Sequence, residues 1–211
     1  DRSGAHSSQN ICKPSLLALS ELIGGTEEEI DLVTLAPELS GSFEVIQRLN
    51  SLGIVVCLGH SSADEIIAGN AFEDGISMLT HAFNAMPGMQ HRSPGPVGEA
   101  IKNGEISIGL IADGVHVHPD IAVFLQRLAS KQLVLISDAI TPYGLEDGKY
   151  KWDHRLIVSK EGSCRLENGT LAGSTMPLLE TCKNLAKWSK EPSAAIWSAT
   201  IAPRKLLTKK H

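Results

Sequence analysis

Five residues have side chains suited to metal binding or proton transfer, and each closes an apolar run. Val33-Thr34-Leu35-Ala36-Pro37 ends at Glu38, the run from Ile54 to Gly59 at His60, and the run from Ile76 to Thr80 at His81. Ile106 to Ile111 leads through Ala112-Asp113-Gly114-Val115 to His116, and Leu133 to Ser137 ends at Asp138. Glu38, His60 and His81 offer one carboxylate and two imidazoles, a set that holds a catalytic zinc and leaves a position open for water. Their separations of 22 and 21 residues each match one strand-plus-helix unit. Adjacent strands would then present all three to one point. Taken singly, each has a plainer use: Glu38 suits a turn or helix start, and His60 a cap or a packed ring. Repetition favours the ligand reading.

Asp138 suits a base that accepts a proton from water activated by the metal and delivers it to a departing amine. Its plainer role is to cap the next segment. His116 could hydrogen-bond a substrate carbonyl or sugar hydroxyl, whereas His118 suits a helix cap. Asn84, Ala85, His91 and Arg92 lie in the loop from Phe83 to Gly95, rich in glycine and proline. Arg92 facing an anion fits that loop, against the plainer reading of a solvated charge. No GxxxxGK phosphate loop is present, so side chains and amides would have to hold any phosphate. Gly173-Ser174 could add backbone donors.

These residues need elements to position them. Apolar runs at 32–36, 54–58, 76–80, 106–111 and 133–137 have strand length, and helical patterns separate them. Phe43, Ile46, Leu49 and Leu52 form one helical face. Ser62-Ala63-Asp64-Glu65 reads as a capping box, and Val97–Ile101 as a short helix. Pro119 opens a helix with Ile121, Phe124, Leu125 and Leu128 on one side. Such alternation predicts parallel strands. Arg155–Ser159 and Ser163–Glu167 predict a hairpin, followed by helices near Met176–Trp188 and Pro192–Ala199. A closed barrel takes eight strands and roughly 250 residues, and five are visible here. An open doubly wound sheet would tolerate five, but chemistry after every strand suits a ring better. The expected fold is α/β, a partial TIM-like (β/α) barrel with a β-hairpin insertion, incomplete at both ends.

Composition narrows the function. The chain has 211 residues, 42% hydrophobic and 20% charged, which predicts one domain, 1–211, with a real core. The net charge is -5 and basic residues are scattered, apart from Lys209-Lys210, so no nucleic-acid footprint appears. No apolar stretch reaches membrane-spanning length. Asp1 stands first without a signal segment, compatible with a processed or trimmed start. Cys12, Cys57, Cys164 and Cys182 form no CxxC pair, which points to a reducing cytoplasm rather than a disulfide scaffold.

Taken together, the motifs resemble the N-acetylglucosamine-6-phosphate deacetylase family of the amidohydrolase superfamily. The resemblance rests on Gly4-Ala5-His6, Thr34-Leu35-Ala36-Pro37-Glu38, Gly59-His60-Ser61 and Thr80-His81-Ala82-Phe83-Asn84-Ala85-Met86. It continues through His91-Arg92-Ser93-Pro94-Gly95, Ile111-Ala112-Asp113-Gly114-Val115-His116, Ser137-Asp138-Ala139 and Leu171-Ala172-Gly173-Ser174. It implies a metal-dependent amidohydrolase barrel that cleaves the acetamide of N-acetylglucosamine 6-phosphate. Glu38, His60 and His81 would be metal ligands, Asp138 the acid/base, and His116 the histidine that holds substrate and polarises the acetyl carbonyl. Asn84, the Ala85 amide and Arg92 would contact the sugar phosphate. His91 resembles a phosphate contact that some members supply across a homodimer interface. One divalent ion is expected, zinc first, with Fe2+, Co2+ or Mn2+ also suiting these ligands. Alternatives are an amidohydrolase for a cyclic or unphosphorylated amide, and a noncatalytic sugar-binding or structural remnant. Two departures stand out: Ala82 replaces a bulky apolar residue, and Ala202-Pro203-Arg204-Lys205-Leu206-Leu207 diverges from an Asn/His-Pro-Ala motif. The family's small β domain and first barrel strand have no counterpart in the sequence.

Overall fold

A computed structural model describes residues 2–208; the basic pair Lys209-Lys210 lies outside the described residues. The chain forms two compact units, one built mainly of Ser7–Gly109 and one of Leu110–Pro203 joined by Gly4–His6.

The first unit contains α1 (Leu16–Ile23), β1 (Leu32–Leu35), α2 (Ser42–Ser51), β2 (Val55–Leu58), α3 (Glu65–Glu73), β3 (Met78–Leu79), α4 (Gly95–Asn103) and most of β4 (Ser107–Leu110). The strands pair in parallel, β1 with β2, β2 with β3 and β3 with β4. Parallel strands need crossovers, and the helices supply them. Every residue of β2 is buried, which is why its Val-Val-Cys-Leu sequence shows no alternation. Ile46 and Leu49 of α2 and Val97 of α4 lie in the core, but Phe43 of α2 is 51% exposed. Asp64, not Ser62, caps α3: its carboxylate accepts from the Ile66 and Ile67 amides at 3.0 and 2.8 Å.

In the second unit α5 (Pro119–Ala129) leads to β5 (Leu133–Leu135). The Ile136 amide donates to the Leu110 carbonyl at 3.1 Å, continuing the ladder from the end of β4. His118 caps α5 by accepting from the Asp120 amide, and Pro119 follows it, as expected. Of the expected stripe, however, only Leu125 is buried, and the buried face is turned away from the rest of it. Ala122, Leu125, Gln126 and Ala129 are buried while Ile121, Phe124 and Leu128 are exposed. The two small alanines let that side approach its neighbours closely, and periodicity alone does not rank two apolar stripes. The expected hairpin forms as β7 (Leu156–Lys160) and β8 (Ser163–Leu166). It grows to an antiparallel sheet of order β6-β7-β8-β9 with β6 (Gly148–Lys151) and β9 (Leu171–Ser174). Ala5, Ile157 and Leu166 form its core, covered by Ile140, Tyr150 and Trp152. Helices α6 (Leu178–Ser189) and α7 (Pro192–Thr208) follow. The divergent segment around Pro203 is part of α7.

Candidate active site

Within the first unit, His60 follows the end of β2 and His81 the end of β3. Because β2 and β3 are parallel neighbours, the two rings meet with their Nε2 atoms 3.0 Å apart and their planes at 79°. The Nδ1 of His60 lies 3.0 Å from the Arg2 carbonyl. A carbonyl only accepts, so that contact places the proton on Nδ1 and leaves the His60 Nε2 lone pair facing His81. Two nitrogens at about 2.0–2.1 Å from one tetrahedral zinc would stand roughly 3.3 Å apart. The observed separation is close to that span, so this pair fits two ligands of one divalent ion.

Glu38 sits on the turn after β1, one residue beyond Pro37. Its Oε2 accepts from the Ser61 hydroxyl and its Oε1 from the Ser62 amide, both at 2.6 Å. The carboxylate is therefore tied to the two residues that follow His60. Among the described residues, no group of three His, Cys, Asp or Glu side chains is gathered closely enough to hold a metal. The structure brings together two histidines and anchors the glutamate to the adjoining loop.

The backbone is unusual where the candidate residues stand. His60, His81, Ala85 and Asp138 all have positive φ, at 49°, 29°, 49° and 50°. Non-glycine residues take such angles uncommonly, aspartate and histidine more often than most, and Phe83, Glu161 and Lys190 of this chain do so too; where the surroundings hold the strain, such residues cluster at functional sites. For His60 the fixing contacts are backbone ones: the Gly59 amide donates to Leu35 and the Ser61 amide to Ala85. At His81, the Ala82 amide donates to the Gly109 carbonyl at 2.7 Å. Ala82 is fully buried, so the small residue is enclosed.

Asn84 turns its side-chain amide back on the chain, donating to the His81 and Ala82 carbonyls at 3.3 and 3.1 Å. It braces the His81 turn, a use the sequence did not suggest. His91 and Arg92 are exposed, and the Arg92 guanidinium donates to His91 Nε2 at 2.8 Å. Two nitrogen-rich side chains thus stand together at the surface. Glu65 of α3 accepts from the Ser93 hydroxyl and the Gly95 amide, pinning the loop behind them.

In the second unit Asp138 follows β5 and is half-buried. Its carbonyl accepts from the Ser174 amide, and Ala139 bridges Ser174 in parallel. Gly173 has φ 121°, and an added Cβ would lie 2.9 Å from the Asp138 carbonyl oxygen. The Gly173-Ser174 pair thus spends its Ser174 donor on the Asp138 backbone. His116 is held by Asp113, which the sequence reading passed over. The Asp113 Oδ2 lies 2.6 Å from His116 Nδ1, and Oδ1 accepts from the Val115 and His116 amides, each at 2.9 Å. Burial alone would raise the Asp113 carboxyl. The His116 contact and charge and the two amides outweigh it, so the group sits below its usual range. The Asp-Gly turn signal three residues before the histidine was the available clue. Asn184 of α6 donates to the Ala112 carbonyl at 3.2 Å, holding the start of that turn.

No protein-family model matches the chain. It is 34% identical over 209 residues to the N-acetylglucosamine-6-phosphate deacetylase of Vibrio furnissii, covering 99% of this chain and 52% of that protein. It is 33% identical over 205 residues to the N-acetylgalactosamine-6-phosphate deacetylase of Escherichia coli O157:H7, covering 97% and 54%. A solved structure of a variant N-acetyl-D-glucosamine-6-phosphate deacetylase from Mycobacterium smegmatis, in complex with N-acetyl-D-glucosamine-6-phosphate, superposes with a TM-score of 0.93 at 28% identity. It covers 98% of this chain and 56% of that one. The chain spans about half the length of the curated relatives it matches. The parallel strands and flanking helices are those of a TIM-like (β/α) barrel.

Proposed function

We propose that this chain, which belongs to the N-acetylglucosamine-6-phosphate deacetylase family, carries the catalytic residues for hydrolysis of the acetamide of N-acetylglucosamine 6-phosphate. The products are glucosamine 6-phosphate and acetate. The observation that carries the reading is the pair of Nε2 atoms of His60 and His81, 3.0 Å apart at the ends of neighbouring parallel strands. The family is generally metal-dependent, and we assign one divalent ion, zinc, to His60, His81 and Glu38. When bound, such an ion polarises a carbonyl and lowers the pKa of water.

The chain's own residues supply the rest. Asp138 takes a proton from the attacking water and delivers it to the sugar nitrogen as the C–N bond breaks. His116 holds the acetyl oxygen through Nε2. Arg92 and His91 pair with the phosphate, with His91 reaching the neighbouring subunit's substrate in a homodimer. Asn84 and the Ala85 amide orient the sugar. The M. smegmatis relative was solved with this sugar phosphate bound, which supports the substrate class. The E. coli relative, named for the galactosamine epimer at comparable identity, gives a second reading for the same site. The cysteines are free and no helix among the described residues is long and apolar enough to cross a membrane. We read the setting as the reducing cytoplasm.

Acetate release from both epimers, measured on zinc-loaded protein, tests this reading. Asp138→Asn should keep its metal and lose turnover by roughly 10²–10⁴-fold. His60→Ala should lose metal and turnover together. Metal-loaded protein that releases acetate from neither sugar phosphate would refute the assignment, and binding without turnover would favour a noncatalytic sugar-binding role.

A further inference from the structure

The turn after β4 ties the histidine assigned to substrate, His116, to a buried acid. Asp113 makes three hydrogen bonds with one carboxylate: Oδ1 accepts two backbone amides, and Oδ2 meets His116 Nδ1 at 2.6 Å. The Asp113 side chain is fully buried and that of His116 is 4% exposed. With both amides on Oδ1, the carboxylate cannot rotate without losing them, so Oδ2 stays on the ring. An ionised carboxylate accepts only, so the ring nitrogen facing it must carry the proton.

We propose that Asp113 is a positioning residue that locks His116 in the Nδ1–H tautomer and leaves Nε2 as the one ring nitrogen offered to a ligand. The lowered position of the Asp113 carboxyl is in keeping with its being ionised. The proposal deepens the functional reading above and rests on it only for what Nε2 meets. It also constrains the chemistry. With its Nδ1 proton committed to Asp113, neutral His116 can only accept at Nε2. It donates to a carbonyl oxygen only after taking a second proton, as an imidazolium whose charge faces Asp113. The pair thus couples the hold on the carbonyl to a proton gained at Nε2. Removing the carboxylate charge while keeping its shape would break that coupling without emptying the space.

The tautomer is readable directly. In the whole chain labelled with 15N at histidine, the ring signals of His116, assigned by their loss in His116→Gln, should show the neutral form protonated at Nδ1. In Asp113→Asn the two amides hold the new side-chain oxygen where Oδ1 was, so the NH2 group faces the ring. Nδ1 must then accept, and the neutral ring should switch to Nε2–H. A merely structural acid would not invert the tautomer. Should Asp113→Asn not fold, the unsubstituted chain still decides. A neutral His116 protonated at Nε2 there, or the same tautomer in parent and Asp113→Asn, overturns the proposal. Acetate release plays no part in this readout, so failure of the deacetylase reading would be seen separately.

Discussion

Replacing Gly59 by alanine should unsettle the floor of the histidine pair. Gly59 is buried between the end of β2 and His60. A Cβ built there would stand 2.8 Å from Thr34 Cγ2 and 2.9 Å from Thr80 Cβ, where ordinary contact begins near 3.4 Å. Each overlap is thus about half an ångström. Thr34 belongs to β1 and Thr80 directly precedes His81. Their hydroxyls are 3.1 Å apart, so neither can withdraw alone. Thr80 Cβ is fixed to the backbone, whose amide donates to Leu58 at 2.8 Å. Overpacking of this kind costs roughly 1–3 kcal/mol, while the lost freedom of glycine in the unfolded chain returns about 0.4–1 kcal/mol. A net loss of about 1–2 kcal/mol remains, or roughly 3–6 °C in melting temperature for a chain of this size. Gly88→Ala is the control, because an added Cβ there meets nothing within 4 Å. Thermal melts of both variants beside the parent check this. If Gly59→Ala melts with the control or above the parent, the packing argument at the site floor is wrong.

Two further outcomes follow from local geometry. Asp64→Ala removes the acceptor for the Ile66 and Ile67 amides and should cost roughly 0.5–2 kcal/mol in urea unfolding, while Ser62→Ala should change stability little; the reverse order would restore the capping box. In the folded chain, iodoacetamide should label the exposed Cys12 first. Burial pushes the Cys57 thiol up to about 12, against the opposing hydrogen bonds of Thr80 and Thr34, and also raises Cys164 and Cys182. Peptide mass mapping that finds Cys57 modified as fast as Cys12 would contradict that burial.

The positions of Glu38, His60, His81, His116 and Asp138 were legible because apolar strand residues change abruptly to polar ones where the chain leaves the sheet. Parallel pairing was legible too, since helical patterns of crossover length separate the runs. The buried face of α5 was legible only at Leu125, because Ile121, Phe124, Leu125 and Leu128 make as good a stripe as Ala122, Leu125 and Ala129, and only the approach of neighbouring elements chooses between them. Strands β6 and β9 were hidden by brevity, by Lys149 and Lys151, and by the glycine in Leu171-Ala172-Gly173-Ser174. The internal uses of polar side chains were hidden as well: Asn84 bracing the His81 turn, Glu38 on Ser61 and Ser62, and Asp113 on His116 are contacts of specific rotamers, which residue order does not encode.

The backbone angles at the strand ends carry the argument one step further. His60, His81 and Asp138 each take a left-handed conformation directly beyond β2, β3 and β5 or their short extensions. Such a residue costs of order 1–3 kcal/mol where glycine would sit with little steric penalty. Glycine is available to this chain and is used for turns with the same sign of φ at Gly41, Gly104 and Gly162. Two histidines and an aspartate tolerate this region better than most side chains, yet still turn the chain less easily than glycine would. They become sensible choices if imidazole and carboxylate groups are needed at those three strand ends, which is the requirement that a hydrolytic site imposes.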